Sequence, residues 1–116
     1  MGNSIIMLLE KIGGQSKIYW TRHSRQKMKH YQLSESRVKR VMRYPKRIEE
    51  GIAPNTIACM QLAGKTEIWM MYQDLKTKNK AGIRIITAWR YPGKSPIGKA
   101  IPIPEDILKD LKKIIK

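Results

Sequence analysis

The sequence predicts an α+β fold in which two helices pack on a three- to four-stranded antiparallel sheet, with a further helix near each end of the chain. Three observations support this class. Two segments before Pro45 combine capping residues with apolar residues at helical spacing. After Pro45 the apolar residues alternate, which is typical of strands. From residue 105 onward acidic residues precede lysines, the order that a helix dipole favours.

The first predicted elements are short. Ser4 is expected to cap a helix over residues 5–12. Residues 17–20 have the aromatic and β-branched content of a strand. Thr21 follows as an N-cap, and the helix that it opens is expected to run to about Tyr31.

The second long helix has clear boundary signals. Leu33 and Val38 are spaced to form a hydrophobic staple around the N-cap Ser34, and Val38 and Val41 begin an apolar stripe. Pro45 ends the helix because the residue before a proline avoids helical dihedral angles.

The rest of the chain predicts a meander. The alternating segments are residues 47–51, 56–63, 66–73 and 83–91. Residues 63–65 have a hairpin composition, and the lysine-rich residues 74–82 are expected to form a loop. The chain of 116 residues is read as one domain: a helical extension (1–14), a core (17–92), and a proline-rich loop with the terminal helix (93–116).

The positive charge is concentrated in the first half of the chain. The net charge is +15, and residues 11–47 hold twelve of the 24 Lys and Arg residues but one acid, Glu35. Such a cluster is typical of a protein that binds a polyanion, because each cation that neutralises a phosphate releases condensed counterions. The alternative is a solvated basic face that aids solubility.

The composition argues against several other classes. The single cysteine, Cys59, cannot form an intramolecular disulfide and reads as a core residue, which fits a reducing cytoplasm. The apolar run at residues 5–9 is too short to span a bilayer, so no membrane association is expected. No zinc-binding spacing, phosphate-binding loop or acidic cluster is present in the sequence, so no metal or cofactor is expected either.

His23 is the first candidate for chemistry. In the first turn of its helix it shares a polar face with Lys27 and His30, opposite the side of Met28. A neutral histidine near a helix N-terminus and ringed by cations suits a general base or a phosphate donor. The alternative is that His23 packs against, or bonds to, the strand backbone.

The last predicted strand supplies the other candidates. Strict alternation places Arg84 and Arg90 on one face, about 20 Å apart, so without a bulge they cannot grip one phosphate. Arg90, Tyr91 and Lys94 lie together at the strand end, where they could bind a phosphate and a base. The alternative is that Arg90 and Lys94 are ordinary charges at the protein surface and that Tyr91 is an aromatic residue of the core. Trp69 is assigned to packing.

A basic site without a metal is chemically sufficient for one reaction, the cleavage of RNA. In metal-free RNA cleavage the ribose 2′-hydroxyl attacks its own phosphate while one group takes its proton and cations stabilise the transition state. DNA lacks this hydroxyl, so it would be bound but not cut in this way.

The chain also resembles domain-of-unknown-function family 4258, a relative of the RelE/ParE and BrnT toxin superfamily, over residues 17–92. The residues that carry the resemblance are Thr21, His23, Met28, Leu33, Ser34, Val38, Val41, Tyr44, Pro45, Ile48, Glu49 and Ile85-Ile86-Thr87. The resemblance implies a RelE-like core and a metal-independent ribonuclease of the toxin type, often paired with an antitoxin. The recurring histidine of the family falls on His23, and Arg84, Arg90 and Tyr91 match the working residue types of the toxins.

Three functions follow as hypotheses. The first is a toxin-like endoribonuclease acting on RNA, including messages on the ribosome, with His23, Arg84, Arg90 and Tyr91 as catalytic residues. Its phosphate-binding residues would be Arg22, Lys27, Arg37, Arg40 and Lys94. The second is a non-catalytic nucleic-acid-binding domain. The third is a protein-interaction module with an acidic partner; some superfamily members poison gyrase, so fold alone does not define the reaction.

Overall fold

The computed structural model describes residues 17–76 and 81–115, and these form an α+β fold with three helices and a five-stranded sheet. The helices are α1 (Arg22–His30), α2 (Glu35–Arg43) and α3 (Glu105–Ile115). The strands are β1 (Lys17–Trp20), β2 (Arg47–Glu50), β3 (Thr56–Ala63), β4 (Thr66–Lys76) and β5 (Ala81–Pro92). The predicted helix over residues 5–12 lies outside the described residues. None of the described helices is long and apolar enough to cross a membrane.

The sheet confirms the α+β class but corrects the predicted strand number and direction. The strand order is β1-β5-β4-β3-β2, with β1 parallel to β5 and the other neighbours antiparallel. Hairpin connections fix the direction of β3, β4 and β5, whereas β1 reaches the sheet edge without a local turn to set its direction. The predicted loop over residues 74–82 was also too long, because Asp74 pairs with Ile83 and Leu75 with Gly82.

One face of the sheet, here called the first face, carries α1 and α2. Met28 of α1 and Val38, Val41 and Met42 of α2 are buried against it, as their helical spacing predicted. The strand residues beneath them include Cys59, which is completely buried, so its predicted role as a core residue is confirmed. Burial raises the pKa of the Cys59 thiol to about 12.

The opposite face, here called the second face, is covered by α3 and by residues 101–103. Trp69 and Trp89 stack there with ring centroids 5.9 Å apart, which confirms the packing role predicted for Trp69. Ile107 and Leu111 of α3 are completely buried in the same cluster. The terminal helix is therefore an integral layer of the domain.

A buried polar network fixes the loop that leads to α3. The carboxylate of Glu67 accepts hydrogen bonds from Trp69 Nε1 (2.9 Å) and from the backbone (3.0 Å) and hydroxyl (2.7 Å) of Ser95. The Ser95 hydroxyl in turn accepts from Arg47 Nη1 at 2.8 Å, and Arg47 also bonds to the carbonyl of Lys99. Because a buried carboxylate needs such partners, this network ties the start of the loop to the sheet.

A β-bulge on β5 sets the position of α1. Met71 pairs with Thr87 and Tyr72 with Ile85, so Ile86 has no partner on β4. Thr21 bonds to this bulge through its backbone N–H to Ile85 O (3.2 Å) and its hydroxyl to Ile86 O (3.1 Å). Its side-chain oxygen also accepts from Ser24 N at 3.0 Å, which confirms its role as N-cap.

The bulge overturns the prediction that Arg84 and Arg90 share a face. Arg84 pairs with Gln73 and lies on the second face, whereas Arg90 pairs with Ile68, a residue of the core on the first face. One extra residue between them reverses the alternation of side chains, so a strict two-residue period fails here. These two arginines therefore contact different parts of the molecule.

We predict that Thr21→Ala lowers the free energy of unfolding by about 1 to 2 kcal/mol, because it removes both a helix cap and an anchor to β5. Ser34→Ala is the matched control, because Ser34 caps α2 through Arg37 N but lies exposed. It should cost about 0.5 to 1 kcal/mol. Urea denaturation of both variants and of Thr21→Ser, which keeps the hydroxyl, measures the difference. Equal losses for Thr21→Ala and Ser34→Ala would contradict the anchoring role.

Candidate functional site

The inner side of α1 faces α3 with a stripe of polar residues. His23 and Lys27 on α1 and Tyr31 at its C-cap follow one another at intervals of four, and Asp106 and Asp110 have the same spacing on α3. Lys27 Nζ lies 2.7 Å from Asp106 Oδ2 and 3.4 Å from Asp110 Oδ2. The Tyr31 hydroxyl donates to Asp106 Oδ1 at 3.1 Å. This polar seam joins the helices of opposite faces around the free edge of β5.

The seam shifts the pKa of its members. Burial alone would lower the pKa of Lys27 and raise that of Asp106, but their mutual hydrogen bond and charge reverse both directions. The pKa of Lys27 is therefore raised and that of Asp106 lowered. Burial, together with the Asp106 charge, raises the pKa of Tyr31 to about 12. Lys27, predicted as a phosphate binder, is thus already engaged by two carboxylates.

His23 lies at the end of the seam, between β5 and α3. Its Nε2 is 3.0 Å from Thr87 Oγ1, and its Nδ1 is 3.5 Å from Asp110 Oδ2. The second distance is long for a hydrogen bond, so Thr87 is the closer partner of the ring, and Nδ1 faces the Asp110 carboxylate. The tautomer of the neutral ring decides whether Nε2 donates to Thr87 or accepts from its hydroxyl. His23 thus contacts the last strand through the Thr87 side chain, whereas the alternative reading of the sequence was a bond to the strand backbone.

The alignment of Asp110, His23 and Thr87 has the order of a catalytic triad, but it does not form a nucleophilic site. Thr87 is completely buried, whereas a triad hydroxyl must reach the carbonyl of a substrate. Thr87 can therefore orient the imidazole but cannot attack a substrate.

Burial lowers the pKa of His23 from its usual value of 6.5. The charge of Asp110 works against burial and raises the pKa, Lys27 lowers it, and Asp106 raises it by the smallest amount. The net effect favours the neutral imidazole. A neutral histidine at physiological pH can accept a proton, as a general base requires.

Beside His23 lies an open pocket of about 900 Å³. Its charged and titratable lining residues are Arg22, His23, Arg84, Asp110 and Lys113. Amide side chains from Gln26, Asn55 and Gln73 join them, and the apolar part includes Ala53, Pro54, Ile86 and Leu111. The volume lies in the range of ordinary small-ligand sites, and three cations against one carboxylate favour an anionic ligand.

Arg84 approaches the pocket from β5. It is exposed, and its Nη1 donates to Gln73 Oε1 at 3.3 Å, which leaves most guanidinium donors available. Arg22, at the first position of α1, is exposed at the same pocket. Arg84 and His23 were both predicted as site residues, from the last strand and the first long helix. They therefore meet at one pocket, together with Arg22.

Arg90 and Tyr91 lie away from this pocket. Arg90 donates from Nε to Tyr31 O at 2.8 Å and from Nη2 to Gln32 O at 3.3 Å, so it satisfies carbonyls at the C-terminal end of α1. Tyr91 is half-buried against the core of the second face. Arg90 and Tyr91, which were predicted to act with His23 and Arg84, are not among the residues that line this pocket, and neither is Lys94.

The remaining predicted phosphate binders are spread over the surface. Arg37 donates to Gln61 Oε1 at 2.9 Å on the first face, and Arg40 and Lys94 are exposed. The pocket or its histidine also contacts Thr87, Asp110 and Lys113, which were not predicted as site residues. Their only signal in the sequence was the spacing of two aspartates on the amphipathic terminal helix. This spacing does not indicate which element the helix contacts.

Comparison of the chain with protein-family models, with curated proteins and with solved structures finds no match. The resemblance to family 4258 therefore stays a prediction. Among the residues that the structure describes, no group of three or more His, Cys, Asp or Glu side chains could hold a metal ion.

We predict that the Hε1 resonance of His23 titrates with a midpoint below 6.5 in NMR spectra recorded against pH. The His23→Gln variant assigns the signal. Because the unfolded chain takes up this proton near pH 6.5 while the folded chain does not, the contribution of His23 to stability is lost as pH falls through that range. A midpoint above 6.5 would show that Asp110 outweighs burial.

We predict that Lys27→Met lowers the free energy of unfolding by about 1 kcal/mol near neutral pH, a value discounted because Asp106 is partly exposed. Arg25→Met is the matched control, since the Arg25–Glu35 pair is exposed and should contribute less. The deficit of Lys27→Met should shrink as pH falls below 3.8, the ordinary pKa of Asp106, through its lowered folded value. Urea denaturation at several pH values measures it; a deficit independent of pH would contradict the pairing.

Proposed function

We propose that this protein is a toxin-like, metal-independent endoribonuclease that acts on RNA in the cytoplasm and that the pocket beside His23 is its active site. The observation that carries the proposal is that His23, Arg22 and Arg84 line one pocket, although Arg84 lies at the opposite end of the core sequence from the other two. A base and cations that stabilise the charge on the phosphate are the groups that cleavage through the ribose 2′-hydroxyl requires.

His23 would act as the general base. This role requires the tautomer in which Nε2–H donates to Thr87 and the lone pair lies on Nδ1, which then takes the proton of the 2′-hydroxyl. Asp110, 3.5 Å from Nδ1, stabilises the imidazolium that forms. The O2′–P bond forms as the P–O5′ bond breaks, and the products are a 2′,3′-cyclic phosphate and a 5′-hydroxyl.

Arg22 and Arg84 would stabilise the charge that develops on the phosphate. Guanidinium groups suit this role because they can donate two parallel hydrogen bonds to phosphate oxygens. Lys113, which lines the same pocket from α3, would give a proton to the leaving O5′, because an ammonium releases a proton more readily than a guanidinium. The apolar surface of Ile86 and Leu111 offers a floor for a base or ribose.

The RelE-like relationship belongs to this proposal. The two helices on one face of a largely antiparallel sheet are what the resemblance implies, and toxins of that kind act on messages in the ribosome and are held by an antitoxin. The parallel strand β1 and the helix α3 are additions to that pattern. In this proposal α3 contributes Asp110 and Lys113 to the pocket.

A second candidate, a nucleic-acid-binding domain without catalysis, is favoured by the position of Arg90 and Tyr91. With both away from the pocket, the acid–base pair rests on His23 and Lys113 alone. Exposed cations, Arg22, Arg40 and Lys94 among them, would still bind phosphates.

The decisive experiment is cleavage of end-labelled RNA in EDTA, with and without translating ribosomes. We expect discrete cleavage by the wild type, a loss of about 10²-fold or more in His23→Ala, and a loss of similar order in Arg84→Ala. Lys65→Ala is the charge-matched control, because Lys65 lies exposed in the β3–β4 turn. Circular dichroism checks the fold of each variant.

Other outcomes separate the candidates. If wild-type protein leaves RNA whole in EDTA but retards it on a gel, the domain binds nucleic acid without cutting it. If neither cleavage nor retardation occurs and an acidic protein is bound instead, the interaction-module hypothesis takes its place. Equal cleavage by His23→Ala and the wild type would exclude His23 as the base.

A further inference from the structure

Tyr44 is a large aromatic side chain left at the surface. Its side chain is 70% exposed, more than that of any other described Tyr or Trp. Single exposed apolar residues are common and need no explanation by themselves. Two further properties distinguish Tyr44: the rigidity of its backbone and the charge that surrounds it.

The backbone around Tyr44 is held at three points. Tyr44 N–H donates to Arg40 O at 2.9 Å, and Tyr44 O accepts from Gln61 Nε2 at 2.8 Å. The N–H of Lys46 donates to Met60 O at 2.8 Å, and Pro45 between them has a restricted φ. The ring is therefore presented from a fixed position, which lowers the entropy lost when a ligand stacks on it.

The chain on both sides of Tyr44 is positively charged. Residues 36–46 contain five cations and no acidic residue. Three of these cations, Arg40, Arg43 and Lys46, are exposed. The only acid near the start of α2, Glu35, is paired with Arg25 at 2.7 Å. An aromatic ring among unneutralised cations is the arrangement that binds unpaired bases and their phosphates.

We infer that Tyr44, Arg40, Arg43 and Lys46 form a second binding site, for single-stranded nucleic acid, in which a base stacks on the Tyr44 ring. We call this set the Tyr44 platform. A protein partner fits less well, because interfaces of that kind surround an apolar core, and Tyr44 stands as one ring among cations. A duplex fits less well because its bases are already stacked.

The Tyr44 platform is separate from the pocket. Gln61, which holds Tyr44, and Thr56, which lines the pocket, are both on β3, but five residues apart, or about 16 Å. Side chains alternate between the two faces along β3. Gln61 belongs to the same face as Ile57 and Cys59, the first face, whereas Thr56 belongs to the same face as Ala58, the second face. Binding at the platform therefore does not depend on cleavage at the pocket.

The test is fluorescence anisotropy with a labelled oligodeoxythymidylate of about ten nucleotides, a length that such sites accept. DNA is used because it has no 2′-hydroxyl, so failure of the proposed cleavage leaves this measurement unaffected. We expect Tyr44→Ala to weaken binding between about five-fold and about a hundred-fold. Tyr44→Phe, which keeps the ring, should bind within about two-fold of the wild type.

Two controls separate stacking from charge. Ile97→Ala removes another exposed apolar side chain, 91% exposed in the loop before α3, and should leave binding unchanged. Arg43→Ala should reduce the slope of log affinity against log salt by about 0.7 for each phosphate that the variant no longer neutralises, whereas Tyr44→Ala should leave the slope unchanged. The far-ultraviolet spectrum should be the same for all variants, because the altered side chains are exposed.

Three results would overturn the inference. The first is absence of binding by the wild type, and the second is equal affinity of Tyr44→Ala and the wild type. The third is displacement of the oligonucleotide by polyglutamate at the same charge concentration, which would show that the surface recognises negative charge alone and would favour an acidic protein partner.

Discussion

The junction of Thr21 with the bulge on β5 is the constraint on which the site depends. Through its backbone N–H and its hydroxyl, Thr21 bonds to the carbonyls of Ile85 and Ile86, where β1 ends and the edge of β5 becomes free. The same residue caps α1, so the helix can begin only at this point. His23, two residues later, is thereby placed within 3.0 Å of Thr87.

The bulge and the terminal helix together make the pocket. By reversing the side-chain alternation, the extra residue directs Arg84 to the second face and Arg90 to the first. One arginine thus becomes available to a ligand, while the other stabilises the end of α1. The polar seam between α1 and α3 brings Asp110 to His23, because the apolar side of α3 is fixed on the second face by Ile107 and Leu111.

Cations with acidic neighbours and cations without them have different roles in this protein. Cations near acidic residues, such as Lys27 and Arg47, are drawn into ion pairs and serve the fold. Arg40, Arg43 and Lys46 have no acidic neighbour in residues 36–46 and stay exposed near Tyr44 in the chain. A net charge of +15 therefore says less about binding than the distribution of the few acids, which decides which cations are left for a partner.

The sequence alone determined the α+β class, the caps at Thr21 and Ser34, the ends of α1 and α2, and the amphipathic α3. These features are local: capping, helical period and alternation act within a few residues. The tertiary structure decided the parallel placement of β1, the bulge at Ile86 and the meeting of α3 with His23. A bulge is a property of two paired strands, and a seam between helices depends on how both pack on the sheet. For that reason His23 and Arg84 could be named from sequence, whereas Thr87 and Asp110 could not.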